Sequence, residues 1–188
     1  MSNLSQAICL FCGSSSNVDK IYKKAASEIG WVIGTRGGTL IYGGTPVGLM
    51  GLAAHATLSA GGQVIGVITK VLQNAEVSHV RQDELLVTDS IHERKSLMYD
   101  LADAFVVLPG GLGTIDETIE VLVWLQLKLL DKPLVMLDIN GFWKPLFSLI
   151  DHTIASGFTP EKNRDLYKTV STTSEVFEVI SNWPAQEK

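Results

Sequence analysis

The sequence predicts an α/β protein: an open, mostly parallel sheet covered by helices on both faces, in one domain spanning residues 1–188. Three observations lead there. Short runs that are apolar throughout, such as Ala7–Phe11, Thr39–Tyr42 and Leu134–Leu137, have the composition of strands buried on both sides. Stretches of helical length and period alternate with them through short glycine-rich links. The 188 residues, 46% hydrophobic and 19% charged, suit a single sizeable core.

In order, Ala7–Phe11 is a first strand ending in Cys12-Gly13-Ser14-Ser15-Ser16. A helix follows over Val18–Gly34, with Ile21, Tyr22, Ala25, Ile29 and Val32 on one face, and Gly37-Gly38 stops it. Thr39–Tyr42 is a second strand, closing in Gly43-Gly44-Thr45-Pro46. Val47–Gly51 leads into a small-residue helix through Ala60, suited to close packing, and Val64–Ile68 is a third strand. Lys70–Asp89 reads as mostly loop, with Glu84–Val87 its one stretch of strand composition. A helix from Ser90 to about Leu101 precedes the strand Ala104–Leu108. Beyond Lys132-Pro133 come the strand Leu134–Leu137 and a helix, Lys144–Ala155. A last strand near Tyr167–Val170 and a helix, Ser174–Ile180, finish the pattern.

The stretch Val106–Glu117 carries the densest chemical signal. Pro109 ends a buried strand, and Gly110, Gly111 and Gly113 supply a backbone able to turn sharply, take positive φ and let a ligand approach. Thr114 is read as the N-cap of a long helix with Asp116 and Glu117 in its first turn. Free N–H groups and the helix dipole then converge on one spot suited to an anion. A first-turn acid is ordinarily a helix stabiliser. A carboxylate beside a phosphate site is electrostatically unhelpful, however, unless it acts on the ligand. No Walker lysine follows the glycines, and Asp116 stands where the dinucleotide fingerprint has its third glycine. Since ligands bind at the carboxyl ends of parallel strands, the loops Gly13–Ser16, Gly43–Gly48 and Gly110–Thr114 are expected to share one rim.

Arg94 and Lys95 fall in the first turns of their helix, where cations oppose the dipole, which points either to an anionic partner or to a neighbouring carboxylate. A net charge of −5 without a basic stripe argues against nucleic acid. Cys9 and Cys12 read as buried, reduced residues rather than a redox pair. The four histidines are scattered, so no metal and no cofactor are expected. The N-terminal residues lack the pattern of a signal peptide and no apolar run has membrane-spanning length, making the cytoplasm the default.

Pro109-Gly110-Gly111-Leu112-Gly113-Thr114-Ile115-Asp116-Glu117 resembles the Pro-Gly-Gly-x-Gly-Thr-x-x-Glu signature of the LONELY GUY family, the cytokinin riboside 5′-monophosphate phosphoribohydrolases, long labelled possible lysine decarboxylases. Phe11–Ser15, Tyr42–Gly44, Val47–Gly51, Gly66–Ile68, Glu76, His92–Lys95 and Glu120–Leu122 match in the same order, so the resemblance covers nearly the whole chain. It implies a Rossmann-like homodimer that hydrolyses the N-glycosidic bond of an adenine-type 5′-nucleotide, AMP or an N6-modified AMP, to free base and ribose 5-phosphate.

It also implies roles. Arg94 and Glu117 are the expected catalytic pair, and Gly110, Gly111, Leu112, Gly113 and Thr114 the expected phosphate site. Gly13, Ser14, Gly43, Gly44, Met50, Glu76, Lys95, Met98, Asp116 and Val123 are expected to line the substrate pocket. Glycosidic cleavage builds positive charge on the sugar, which a carboxylate can stabilise, attack, or meet with an activated water. The chain departs from the pattern at Leu112 (usually tyrosine), Asp116 (glutamate), Thr45 (glycine), Thr69 (proline) and Val123 (threonine in plant members), positions that bear on base preference. Two other readings compete: a non-catalytic nucleotide or molybdenum-cofactor carrier on the same fold, and amino-acid decarboxylation. The latter needs a lysine Schiff base, for which only Lys95 is near the glycine turn.

Overall fold

A computed structural model describes residues 6–75 and 83–183. Seven strands form one parallel sheet: β1 (Ala7–Phe11), β2 (Thr39–Tyr42), β3 (Gln63–Thr69), β4 (Glu84–Thr88), β5 (Ala104–Val107), β6 (Leu134–Leu137) and β7 (Lys168–Val170). The helices are α1 (Lys20–Thr35), α2 (Gly48–Ser59), α3 (Lys70–Ala75), α4 (Ile91–Leu101), α5 (Leu112–Gln126), α6 (Lys144–Ala155) and α7 (Thr173–Ser181). No helix among the described residues is long and apolar enough to cross a membrane.

The strand order is β4-β3-β2-β1-β5-β6-β7. Winding therefore reverses between β1 and β5, and the crevice at their carboxyl ends is where open α/β sheets take ligands. Alternation along each strand feeds two cores. Ile8, Leu10 and Cys12 of the β1 segment pack with α1, α2 and α7, while Cys9 and Phe11 pack with residues of α4 and α5. On the first face α1 and α2 meet almost backbone to backbone. A Cβ on Gly30 would fall 2.2 Å from the Ala53 carbonyl oxygen, and one on Gly34 would fall 2.4 Å from that of Thr57.

Within Lys70–Asp89, the stretch of strand composition at Glu84–Val87 is a strand, Glu84–Thr88, paired with β3 from Ile65 to Thr69, while the expectation of mostly loop is corrected at Lys70–Ala75, a short helix. β4 is an edge strand with Glu84 and Val87 exposed. Asp83 sets its register by accepting a 2.8 Å hydrogen bond from the Val64 N–H.

Candidate active site

The three glycine loops do share a rim. The Gly13 N–H donates to the Pro109 carbonyl at 3.1 Å, tying the loop after β1 to the loop after β5. The Leu49 N–H donates to the Gly13 carbonyl at 3.0 Å, tying it to the loop after β2. A Cβ on Gly48, which has φ +64°, would fall 2.3 Å from the Ser14 carbonyl oxygen. At this reversal lies a 130 Å³ pocket walled by Tyr22, Phe142, Leu49 and the Gly110-Gly111 backbone.

The turn after β5 is built differently from the expectation. Gly111, not Thr114, is the N-cap of α5, and no side chain caps this end. Asp116 and Glu117 therefore belong to the second turn. Gly110, Gly111 and Gly113 do not adopt positive φ; among the glycines that do are Gly44 and Gly48. Gly110 is required for another reason: a Cβ there would fall 2.1 Å from Thr114 Oγ1, because the buried Thr114 side chain folds back under the turn. A Cβ on Gly111 or Gly113 would meet nothing within 4 Å. The first intrahelical bond runs from the Ile115 N–H to the Gly111 carbonyl at 3.0 Å, so the N–H groups of Leu112, Gly113 and Thr114 precede the ladder.

Glu117 and Arg94 meet across the α4–α5 seam. Arg94 Nη1 donates to Glu117 Oε1 at 3.1 Å and Arg94 Nε to the Val67 carbonyl at 2.8 Å, both in buried surroundings. Gly43 makes room for the guanidinium: a Cβ there would fall 2.3 Å from Arg94 Nη2 and 3.3 Å from Met50 Sδ. The other carboxylate oxygen of Glu117, Oε2, has no hydrogen-bond partner among the described residues. Burial pushes the Glu117 carboxyl above its ordinary value, opposed by the Arg94 charge and hydrogen bond.

One residue along each helix, a second ion pair repeats the first. Lys95 Nζ lies 3.0 Å from Asp116 Oδ2 and 2.8 Å from Glu120 Oε2, and Glu120 also accepts from the Tyr99 hydroxyl at 2.7 Å. Burial would lower Lys95, but hydrogen bonds to Glu120 and Asp116 outweigh it and hold the ammonium above its ordinary value. The locally unfavourable cations of α4 are thus answered by carboxylates of α5. Tyr99 and Glu120 were not among the expected site residues. Their signal was helical spacing, since Lys95 and Tyr99, like Asp116 and Glu120, stand four apart and share a helix face.

The other expected residues divide. Gly13, Ser14, Gly43, Gly44 and Met50 come to the rim, and Leu112 projects into solvent at 86% exposure. Met98 lies in the core beside Phe11 and Tyr99, with 0% of its surface exposed. Val123 is not brought to the pair within this chain. It lines a 250 Å³ groove between α5 and α6 with Ile119, Leu122, Leu146 and Leu149. Val121 and Leu125 of the same helix face the core. Glu76 lies outside the described residues. Cys9 and Cys12 are free and buried, and their thiols are pushed up first by burial and then by the Glu117 charge. No group of three His, Cys, Asp or Glu residues able to hold a metal ion occurs among the described residues.

Comparison with known proteins gives this arrangement a context. Residues 50–180 match a family model described as possible lysine decarboxylase. A probable cytokinin riboside 5′-monophosphate phosphoribohydrolase of Oryza sativa subsp. japonica is 40% identical over 181 residues, covering 96% of this chain and 74% of the relative. A cytokinin riboside 5′-monophosphate phosphoribohydrolase of Arabidopsis thaliana is 38% identical, covering 96% of this chain and 85% of the relative. Among solved structures, the molybdenum cofactor binding protein of Rippkaea orientalis superposes with a TM-score of 0.70 at 21% identity, over 96% of this chain and 98% of that one, a likeness of fold. With its glycine turn, its buried arginine–glutamate pair and these relatives, the chain belongs to the LONELY GUY family of phosphoribohydrolases.

Proposed function

We propose that this protein hydrolyses the N-glycosidic bond of adenine-type nucleoside 5′-monophosphates, AMP or cytokinin riboside 5′-monophosphates, adding water to give the free base and ribose 5-phosphate. The observation that carries the reading is the buried Arg94–Glu117 pair on the second turn of a helix whose uncapped first turn faces the same rim. In this reading the N–H groups of Leu112, Gly113 and Thr114, with the positive end of the α5 dipole, hold the 5′-phosphate, while Gly110 and Gly111 shape the turn. The ribose then lies toward Glu117. Arg94 fixes one carboxylate oxygen, and Oε2 is left to face the anomeric carbon. Ionised Glu117 stabilises the oxocarbenium-like transition state, or attacks or activates water there. Phosphate binding remote from the breaking bond positions the sugar.

Gly13, Ser14, Gly43, Gly44, Met50, Lys95 and Asp116 complete the pocket in this assignment, together with Glu76. Met98 acts from behind as core packing. Val123 faces away from its own chain's pair, so a ligand contact by it requires a second copy. A homodimer formed through the α5–α6 face fits this: Ile119, Val123 and Leu149 are exposed there, and none of the α6 residues Lys144–Ala155 is buried. The proposed setting is the cytoplasm.

The test is a panel of nucleoside monophosphates, with and without an N6-isopentenyl group, assayed for free base and ribose 5-phosphate beside calorimetric titration. Stoichiometric release of both products is expected. Tight binding with no base released would replace this reading with that of a carrier.

A further inference from the structure

On the opposite side of the loops from Arg94 and Glu117, a cleft of 890 Å³ opens along the outer edge of α1 and α2. Its floor is apolar, from Pro46, Val47, Leu52 and Leu58, and its polar groups are few: Lys23, His55, Ser16 and Ser59. That volume falls within the range of small-molecule sites, roughly 300–1,000 Å³. The charge has one sign. No carboxylate lines the cleft, and α2 contains no acidic residue, although the chain as a whole carries −5. The side chains of Lys23 and His55 have no hydrogen-bond or ion-pair partner among the described residues, whereas Lys24, one position on, pairs with Glu28 at 3.5 Å.

We infer that this cleft is a second ligand site, for a small amphipathic anion: an apolar aryl or alkyl body bearing a carboxylate, sulfonate or phosphate. The body lies on Val47, Leu52 and Leu58. The acid group meets the Lys23 ammonium at the end of the cleft that Ser16 lines, with His55 as the next cationic group along α2. An uncharged apolar ligand would leave the ammonium unanswered, and a bare phosphate would leave the apolar floor uncovered. The α5–α6 groove, by contrast, is lined without any charged side chain, so an anion has no reason to prefer it.

The probe is anilinonaphthalene sulfonate, titrated by fluorescence into the full chain beside an uncharged naphthalene analogue. The sulfonate is expected to bind saturably, about tenfold more tightly than the neutral analogue, as one close charge contact allows. The double variant Lys23→Glu/His55→Glu is expected to erase that difference. Lys23→Ala/His55→Ala serves if the first fails to fold, with unfolding temperature as the check. Saturating AMP is expected to leave the probe in place. Sulfonate affinity within twofold of wild type in the folded variant would overturn the inference. So would displacement of the probe by AMP, or loss of probe binding as rising protein concentration covers the face with a second copy.

Discussion

Two helix pairs flank the sheet and are held by opposite means. α1 and α2 meet through absence of side chain: Gly30 and Gly34 let the backbone of Ala53 and Thr57 approach to distances no Cβ would permit. α4 and α5 meet through charge, with Arg94 on Glu117 and Lys95 on Asp116 and Glu120. The first seam is close-packed and contributes stability through burial and dispersion. The second removes ions from water, a cost that pairing inside a protein only about balances. This seam already closes apolar contacts, Tyr99 on Trp124 at 5.3 Å between ring centroids among them, so buried charge added beside them points to use rather than support. The two seams should therefore fail in different ways.

The largest expected effect is on turnover. Glu117→Gln keeps an oxygen for Arg94 Nη1 but removes the negative charge from the sugar. Base release should fall about 10³-fold, equivalent to about 4 kcal/mol of barrier, while the unfolding temperature stays near wild type. A variant that melts early yet turns over normally per folded molecule would place the charged seam with the structural one. Next in size is Gly30→Leu in the other seam. With backbone rather than a flexible side chain in the way, α1 and α2 must separate, at a cost of about 3 kcal/mol or more. Denaturant unfolding should show it, with the activity of the remaining folded fraction unchanged.

The difference between the seams also explains what was legible in the sequence. Central strands declared themselves as continuous apolar runs, and Thr39–Tyr42, Leu134–Leu137 and the helix Lys144–Ala155 match the sequence reading residue for residue. The edge strand β4 showed only as the short stretch Glu84–Val87 in a segment read mostly as loop, with Glu84 and Val87 facing water. Glycines flagged the loops but not their reasons. Gly43 answers to an arginine 51 residues away and Gly110 to the side chain of Thr114, contacts that no local conformational rule contains. The helix start was displaced because Thr114 has the composition of a cap, while the true N-cap, Gly111, offers no side chain at all. The Arg94–Glu117 pairing came from resemblance; helical spacing alone shows which residues share a face, not which face meets another helix.

A third test sharpens the contrast through pH. Burial holds the Glu117 carboxyl above its ordinary value of 4.5, and the ionised form is the one the reaction uses. The acid limb of kcat should thus lie above pH 4.5 and move further up in Arg94→Lys, which keeps a charge but loses the guanidinium fork. The stability sign is opposite to that of an ordinary ion-paired carboxylate. With the folded value above the unfolded one, the native state holds the extra proton in that window. The stabilising contribution is full below 4.5 and lost as pH rises through the folded value. The stability of wild type relative to Glu117→Gln should accordingly decline with pH across that interval, and a rise would show that Arg94 dominates the burial.

The smallest expected effects separate the seams most cleanly, because matched changes are available. Asp19 caps α1, accepting from the Ile21 N–H at 2.9 Å, and Ser90 caps α4, accepting from the Glu93 N–H at 3.1 Å. Asp19→Ala and Ser90→Ala should each lower stability by about 1 kcal/mol. Their consequences for turnover should differ. α1 reaches the rim only through a loop, whereas the first turns of α4 carry Arg94 and Lys95, so fraying at Ser90 loosens the guanidinium that orients Glu117. A several-fold fall in kcat for Ser90→Ala, beside unchanged kcat for Asp19→Ala at equal stability loss, would locate function in the charged seam alone. Equal kcat in the two variants would mean that α5 and the Val67 carbonyl hold Arg94 without help from its own helix end.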